Sequence, residues 1–361
     1  MADGFAPLPF TAEVEAAVAP LWERVKGRVT PLEWRVHAPL IAEINRIKRE
    51  KNAVILAHNY MTPEIFHGVG DYVGDSLGLA REAARSDAKI IVQAGVHFMA
   101  ETSKVLCPDK TILIPDLRAG CSLASSITGA DVKLIKQRYP GLPVVTYVNT
   151  TADVKAETDI CCTSANAVQV VEWAAKQWGV DRVILIPDEF LARNVAAQTD
   201  VKIIAWQGRC EVHERFNAAD IAEMRIAYPG AEILAHPECP EEVLAAADFA
   251  GSTAAMNDYV VTRKPKQVVL ITECSMASNV AADAPDTEFI GPCNMCPHMK
   301  RIKLANIHEA LVKEQFEVTV DPVLAARARL AVQRMIDLPP PAEPARYDLV
   351  KARHHVAVEL I

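Results

Sequence analysis

Three stretches of the chain repeat one pattern. The first, KIIVQAGVHFMAETSKVLCPDKTILIPDLRAGC, ends at Cys121. The second, RVILIPDEFLARNVAAQTDVKIIAWQGRC, ends at Cys210, and the third, QVVLITECSMASNVAADAPDTEFIGPCNMC, ends at Cys296. Each reads strand, loop, helix, strand, a glycine and then cysteine. The cysteines lie 89 residues apart (121 to 210) and 86 apart (210 to 296). The openings of the repeats also match: VILAHNYMTPE at 54 and EILAHPECPEE at 232 are close, and VVTYVNTTADV at 144 is looser. Repeats of this length, each with its own βαβ core, predict three small α/β domains in place of a solenoid.

Short apolar runs alternate with helical stretches after Lys51. They lie at Val54–Ala57, Ile90–Gln93, Thr111–Ile114, Val144–Val148, Val183–Ile186, Lys202–Ala205, Glu232–Ala235, Gln267–Ile271 and Glu288–Ile290. Strand and helix in alternation imply buried parallel sheets. The predicted fold class is therefore α/β. Three pseudo-equivalent domains, each a parallel sheet of three to four strands, surround a central pseudo-threefold site. The expected organisation is a helical N-terminal extension over 1–50, with helices at roughly 11–27 and 38–50. Repeats follow at 51–128 (completed by 300–337), 129–216 and 217–299, then a C-terminal tail at 338–361. The apolar residues of RYDLVKARHHVAVELI suggest that this tail docks on the body.

Composition removes several function classes. Of 361 residues, half are hydrophobic and 23% are charged, so a large core can form. The net charge of −8, with no Lys/Arg run, argues against nucleic-acid binding. No apolar stretch approaches the ~20 residues that span a bilayer, so no membrane association is expected. MADGFAPLPF lacks a basic segment followed by an apolar one, so a cytoplasmic protein is expected. Nine cysteines, an odd number over a long chain, do not resemble a secreted disulfide framework. Some of these thiols are expected to be ligands or nucleophiles in a reducing compartment.

Cys293 and Cys296 form the chain's single C-x-x-C, a spacing common to zinc, redox and iron–sulfur sites. The repeat favours another grouping. If three equivalent domains meet about an axis, Cys121, Cys210 and Cys296 meet there as one three-thiolate site. Three thiolates without a fourth protein ligand fit a cluster with an open metal position. A three-cysteine zinc stays open as an alternative, although zinc hydrolases more often recruit His or carboxylate. Soft thiolates favour iron–sulfur. Cys107, Cys161, Cys162, Cys239 and Cys274 lack the threefold pattern and read as structural. Cys293 is ambiguous and could pair with Cys296 on oxidation.

A resemblance then emerges from the motifs HNY (58–60), GDSLGLA (74–80), AGCSLASS (119–126), YVNTTADVKAETDICCTSANA (147–167), GRCEVH (208–213), HPEC (236–239), GSTAAM (251–256) and CPHM (296–299). Together they resemble the quinolinate synthases, in order, from about residue 50 to 315. The resemblance implies three α/β domains around one [4Fe–4S] cluster per chain. It implies condensation of iminoaspartate with dihydroxyacetone phosphate to quinolinate, phosphate and water, for NAD biosynthesis, and hence a transferase-type enzyme. It also implies that Cys121, Cys210 and Cys296 hold the cluster, with one iron open as a Lewis acid. Some members carry C-x-x-C-x-x-C in the last motif; here its first position is Ile290. An oxidase or dehydrogenase that supplies the unstable iminoaspartate is the expected partner enzyme.

The motif residues suit that chemistry. His58 and Tyr60 directly follow a strand, where open α/β sheets place ligands, and the resemblance puts both in the active site. His58 could hold a carboxylate and Tyr60 relay protons. Ser76, after Asp75, reads as a helix N-terminus suited to anions and matches a substrate contact of the resembling family. Tyr147 and Asn149 end the second repeat's first strand. Ser164 is read as opening the helix SANAVQVVEWAAKQW. His236 and Glu238 occupy the third repeat's equivalent loop, with Glu238 the candidate general acid/base. Ser252 and Thr253 begin another helix and could meet phosphate or carboxylate. Lys104 and Lys155 lie near motif loops but read equally as solvated surface. His213 reads as orienting the Cys210 loop, and His298 as similar.

Two other classes compete. A non-catalytic iron–sulfur sensor explains the cysteines but not the polar residues on the strand-end loops. A structural zinc protein using Cys293 and Cys296 leaves Cys121 and Cys210 idle. The C-x-x-x-C-x-x-C run of radical enzymes is absent.

Overall fold

The structure is a computed structural model in which residues 8–339, 346–349 and 357–361 are described. The remaining parts of the expected extension and tail lie outside the described residues. Twelve strands fall into three parallel sheets of identical order. The first sheet holds β1 (Ala53–His58), β2 (Tyr72–Gly74), β3 (Ile90–Ala94) and β4 (Thr111–Leu113) in the order β2-β1-β3-β4. The second holds β5 (Val144–Tyr147), β6 (Ile160–Cys162), β7 (Arg182–Ile186) and β8 (Lys202–Ala205) in the order β6-β5-β7-β8. The third holds β9 (Glu232–Ala235), β10 (Phe249–Ala250), β11 (Gln267–Ile271) and β12 (Glu288–Ile290) in the order β10-β9-β11-β12. The α/β class and its threefold plan stand as expected.

Each sheet has four strands from its own repeat. The second gains a fifth, β13 (Glu359–Leu360), which pairs parallel with β8. All nine expected strands are present. The additional three within the repeats, β2, β6 and β10, are each the edge strand beside the repeat's first strand. At two or three residues they are too short to stand out alone, and unlike the equally short β4 and β12 they lie outside the three repeated stretches. The central strands read as continuous β-branched and aliphatic runs because helices cover both faces; Ile55, Ile91, Ile184 and Val269 are fully buried.

The extension forms α1 (Ala12–Val25) and α2 (Pro31–Lys51). α2 starts seven residues before the expected position 38. Pro31 supplies a preset φ at the first turn, and Thr30 with Glu33 closes a capping box. Asn52 ends it in the left-handed region at φ 50°.

The segment after the third repeat divides its packing. Residues 316–318 hydrogen-bond along the free edge of β4, through Ile114 N to Phe316 O and Val318 N to Ile112 O. Helix Leu304–Lys313 packs on α2 and β3. Helix Pro322–Asp337 packs on helix Ala152–Glu157 and β6 as well as on helix His97–Leu106. That second helix therefore covers the second sheet as much as the first.

Candidate functional site

Strand register defines equivalent positions without reference to sequence likeness. Ala57, Thr146 and Ala235 hold the same place: each pairs with the last or next-to-last residue of both neighbouring strands. One residue beyond them come His58, Tyr147 and His236. Two further on come Tyr60, Asn149 and Glu238. On the edge strands, Val73, Cys161 and Ala250 face those anchors, and three residues beyond them come Ser76, Ser164 and Thr253. The carboxyl ends of all three sheets thus supply matched levels of polar side chains, where parallel sheets bind ligands.

The cysteine loops obey the same symmetry. The amides of His97, Glu189 and Cys274 donate to the carbonyls of Ala119, Gly208 and Asn294 at 2.7, 2.8 and 3.3 Å, each two residues before a cysteine. The carbonyls of Cys121, Cys210 and Cys296 then accept from the amides four residues on, Ser125, Glu214 and Lys300, at 3.0, 3.0 and 3.1 Å. Identical backbone wiring aims the three side chains alike.

All three cysteines line one cavity of about 70 Å³. That is room for several water-sized groups, since one water needs roughly 10–15 Å³. His58, Tyr60, Ser76, Tyr147, Asn149, Ser164, His236, Glu238 and Thr253 line it too. Ser252 does not. Its hydroxyl accepts from Ala255 N at 3.2 Å as a helix cap, and Thr253 occupies the wall instead. Register explains the exchange, because Ser252 is equivalent to the cap residue Asp75, and Thr253 to Ser76. Ser76 opens helix Ser76–Arg85 as expected. Ser164 does not open a helix: it lies in a turn before Ala167–Trp178, where Asn166 Oδ1 accepts from Thr163 N at 2.8 Å. Asn and Thr close that turn through side-chain bonds that compete with helix.

Glu238 is the hub. Its Oε1 accepts from Tyr147 Oη at 2.5 Å and from Asn149 Nδ2 at 3.5 Å; its Oε2 lies 2.7 Å from His213 Nδ1. Burial alone would raise its pKa, but His213, His236 and the Tyr147 hydroxyl outweigh that and hold it well below the usual range. The carboxylate is ionised at neutral pH. His213 Nδ1 is also 3.2 Å from Cys210 Sγ, and its Nε2 is 2.9 Å from Thr272 Oγ1. The sequence thus placed His213 beside the Cys210 loop but gave no sign of its link to Glu238. Among the described residues, Cys210, His213 and Glu238 form the one group with three ligand atoms within 4.8 Å of one another.

Burial keeps the remaining groups neutral. It pushes His58 down to about 4, with Glu238 opposing, and His236 down to about 3. In both, Nδ1 accepts an amide N–H two residues on, from Tyr60 at 3.2 Å and Glu238 at 3.3 Å. The ring proton therefore sits on Nε2. Burial, then the Glu238 charge, raises Tyr60 and Tyr147 well above the ordinary phenol value. Tyr60 Oη is 2.6 Å from Thr272 Oγ1. Burial likewise raises all three thiols, Cys121 to about 12.

Two carboxylates behind the cysteines are missing from the motifs read in the sequence. Asp188 accepts from Cys210 N at 3.2 Å, and Glu273 from Cys296 N at 3.4 Å. They are equivalent by register, following β7 and β11; the third such position is Val96. Paired alignment of the repeats would have placed them together. No lysine or arginine lines the cavity among the described residues. Lys300 stands behind it, 2.7 Å from Glu273 and donating to Tyr60 O at 2.8 Å. Lys155 is fully buried, contrary to the solvated-surface reading. Helix Ala152–Glu157 is covered by Gly129–Arg138 and Pro322–Asp337, so its lysine turns inward and donates to Val148 O at 2.8 Å and to Thr150 O. Lys104 is largely covered and pairs with Glu317 at 3.2 Å. All nine cysteines are free; Cys293 is exposed and does not line the cavity.

The family model for "Quinolinate synthetase A protein" matches residues 42–337. A quinolinate synthase of Caulobacter vibrioides is 81% identical over the whole of both chains. Quinolinate synthase 1 of Mesorhizobium japonicum is 64% identical over 88% of this chain and 97% of its own. The Agrobacterium fabrum quinolinate synthase is 59% identical over 91% and 94%. On the full-length identity and the span of the family match, the chain belongs to the quinolinate synthetase A family.

Proposed function

We propose that this chain condenses iminoaspartate with dihydroxyacetone phosphate to give quinolinate, phosphate and water, the reaction that leads into NAD. The observation that carries the reading is the convergence of one cysteine and three polar side chains from each of three sheets on one cavity. The names of the relatives support it.

Cys121, Cys210 and Cys296 would hold a [4Fe–4S] cluster. Three observations of fit support this. The thiols are unpaired, half-buried and wired alike, and desolvation keeps them neutral unless a cation lies among them. The three sulfurs do not fall within the 4.8 Å that groups Cys210, His213 and Glu238, whereas tetrahedral thiolates on one zinc lie roughly 4 Å apart. A body wider than one ion suits them. When bound, the cluster supplies an open iron that polarises a substrate oxygen or nitrogen.

The protein residues do the rest. His58 and His236, neutral with the proton on Nε2, donate hydrogen bonds to substrate carboxylate or carbonyl oxygen. Ser76 and Thr253, each the first residue of a helix of ten or eleven residues, present hydroxyls and amide N–H groups to phosphate or carboxylate. Ser164 completes that level. Glu238, ionised and pinned by Tyr147, Asn149 and His213, takes the protons that imine formation and dehydration release. Tyr60, held protonated, returns one. No lysine or arginine lines the cavity among the described residues, so hydroxyls, imidazoles and helix N-termini meet the anionic substrates.

Anaerobic reconstitution with iron and sulfide counting tests the assignment. Cys121→Ala, Cys210→Ala and Cys296→Ala are expected to lose the cluster, and Cys293→Ala to keep it. An intact cluster that forms no quinolinate from the two substrates would sink the enzyme reading in favour of a sensor. The Cys210–His213–Glu238 group favours one alternative, a single bound divalent ion. Zinc at one equivalent without sulfide would establish it.

The remaining expectations belong to the same reading: an iminoaspartate-forming oxidase or dehydrogenase as supplier, and a cytoplasmic setting. No helix among the described residues is long and apolar enough to cross a membrane.

A further inference from the structure

The family match stops at residue 337, yet the segment beyond it reaches the cavity wall. Tyr347 is 4% exposed, packed in the core among the sheets. Its amide donates to Ala250 O at 3.0 Å, and its neighbour Arg346 bridges antiparallel to Gly251. Its hydroxyl donates to Ser164 O at a long 3.4 Å. One buried residue thus joins the backbone of two loops from different sheets, by its amide to one and its hydroxyl to the other. Those loops carry Ser164 and Thr253, two of the three hydroxyls that register made equivalent. The third, Ser76, has no such contact with the tail among the described residues.

The tail is anchored on both sides of that contact. Asp348 exchanges two hydrogen bonds with Gln198, at 2.8 and 3.3 Å. The Arg346 guanidinium lies over the Phe249 ring at 5.2 Å. Further on, Ile361 N donates to Ala205 O at 2.9 Å beside β8. A strand added to a sheet edge fixes register as well as position.

We propose that Tyr347 is a positioning residue that sets the spacing between Ser164 and Thr253, and through it the grip on a phosphate- or carboxylate-bearing substrate. The buried ring spans the interval from the amide bond on Ala250 to the long hydroxyl bond on Ser164, and its bulk keeps that interval open. The proposal rests on the reading of this cavity as the condensation site. A wall that holds its ligand without cations depends on where its hydroxyls stand, and small misplacements there cost binding.

The test uses the full-length, cluster-loaded protein with Tyr347→Ala, Tyr347→Phe and Gln198→Ala. Steady-state constants for both substrates are combined with hydrogen exchange. Tyr347→Ala is expected to raise KM for at least one substrate about tenfold with kcat within about threefold, and Tyr347→Phe to restore it. Exchange should rise in residues 160–166 and 249–254 and stay unchanged in 72–78. Gln198→Ala, which loosens the tail from the surface, should shift KM and exchange the same way but less, and it decides the matter if Tyr347→Ala does not fold. Unchanged KM, or exchange that rises evenly across the chain, overturns the proposal. If the wild-type protein forms no quinolinate, the functional reading fails instead, and the exchange experiment still judges the role of Tyr347.

Discussion

Lys155 and His67 show how burial sets what a single side chain does. Lys155 has no exposed surface and spends its ammonium on the carbonyls at either side of Asn149. Lys155→Met keeps the bulk but strands those carbonyls, so it should cost about 2 kcal/mol or more by urea denaturation, with an unchanged m-value. It should also lower activity through Asn149. His67 makes the opposite case. Burial, then Arg24, lowers its pKa, with Asp283 opposing, and its Nε2 has no partner. The folded state therefore binds the proton less well than the unfolded state. Its contribution to stability is complete above the ordinary value of 6.5 and is lost as pH falls below it. The urea midpoint should decline between pH 7.5 and 5.5, and His67→Phe should flatten that decline; an equal slope in the variant would refute it. Neither residue announced itself in the sequence. A lysine in DVKAETD looks solvated until a helix that starts 167 residues later (155 to 322) is laid over it, and that distance is invisible to local pattern.

At the level of elements, legibility followed apolar length together with the repeat, which exposed even the three-residue β4 and β12. Runs such as AVILAH and QVVLI are long and apolar enough to register alone. YVG, ICC and FA are not, and they became strands because a central strand offered them an unpaired edge. Asp188 and Glu273 were hidden for another reason. Each lies just past a strand end, where a lone acid usually means a cap or a turn, and only register aligns them on the cysteine amides. They should matter to the cysteine loops before they matter to catalysis. Asp188→Asn and Glu273→Gln are expected to release iron to a chelator several-fold faster than wild type while leaving far-ultraviolet circular dichroism unchanged. Iron release as slow as wild type would reduce the two carboxylates to ordinary structural groups. Nine of the strands, the convergence of the three cysteines and the matched polar positions were legible because the repeat tripled each signal; Ser252 was misread because its neighbour shares its chemistry.

For the whole molecule, the cavity is the place where three otherwise separate sheets meet. Cross-connections there include Asn59 to Thr253 at 2.9 Å, Tyr147 to Glu238, and Asn194 to the carbonyls of Pro237 and Cys239 at 2.9 and 3.0 Å. A group bound among the cysteines ties all three sheets at once, and binding to the folded state alone raises its stability. Anaerobic calorimetry of the reconstituted protein should therefore show a higher Tm than the chelated form, and the difference should vanish in Cys121→Ala. The levels of the cavity carry a further consequence. Three separate copies of one such unit, assembled about an axis, could present only three identical groups at each height. One continuous chain is free of that limit. It keeps the cysteines alike, where a shared ligand wants uniformity, and makes phenol, amide and carboxylate of Tyr60, Asn149 and Glu238. Joining the copies end to end is what lets a symmetric vessel hold an asymmetric reaction.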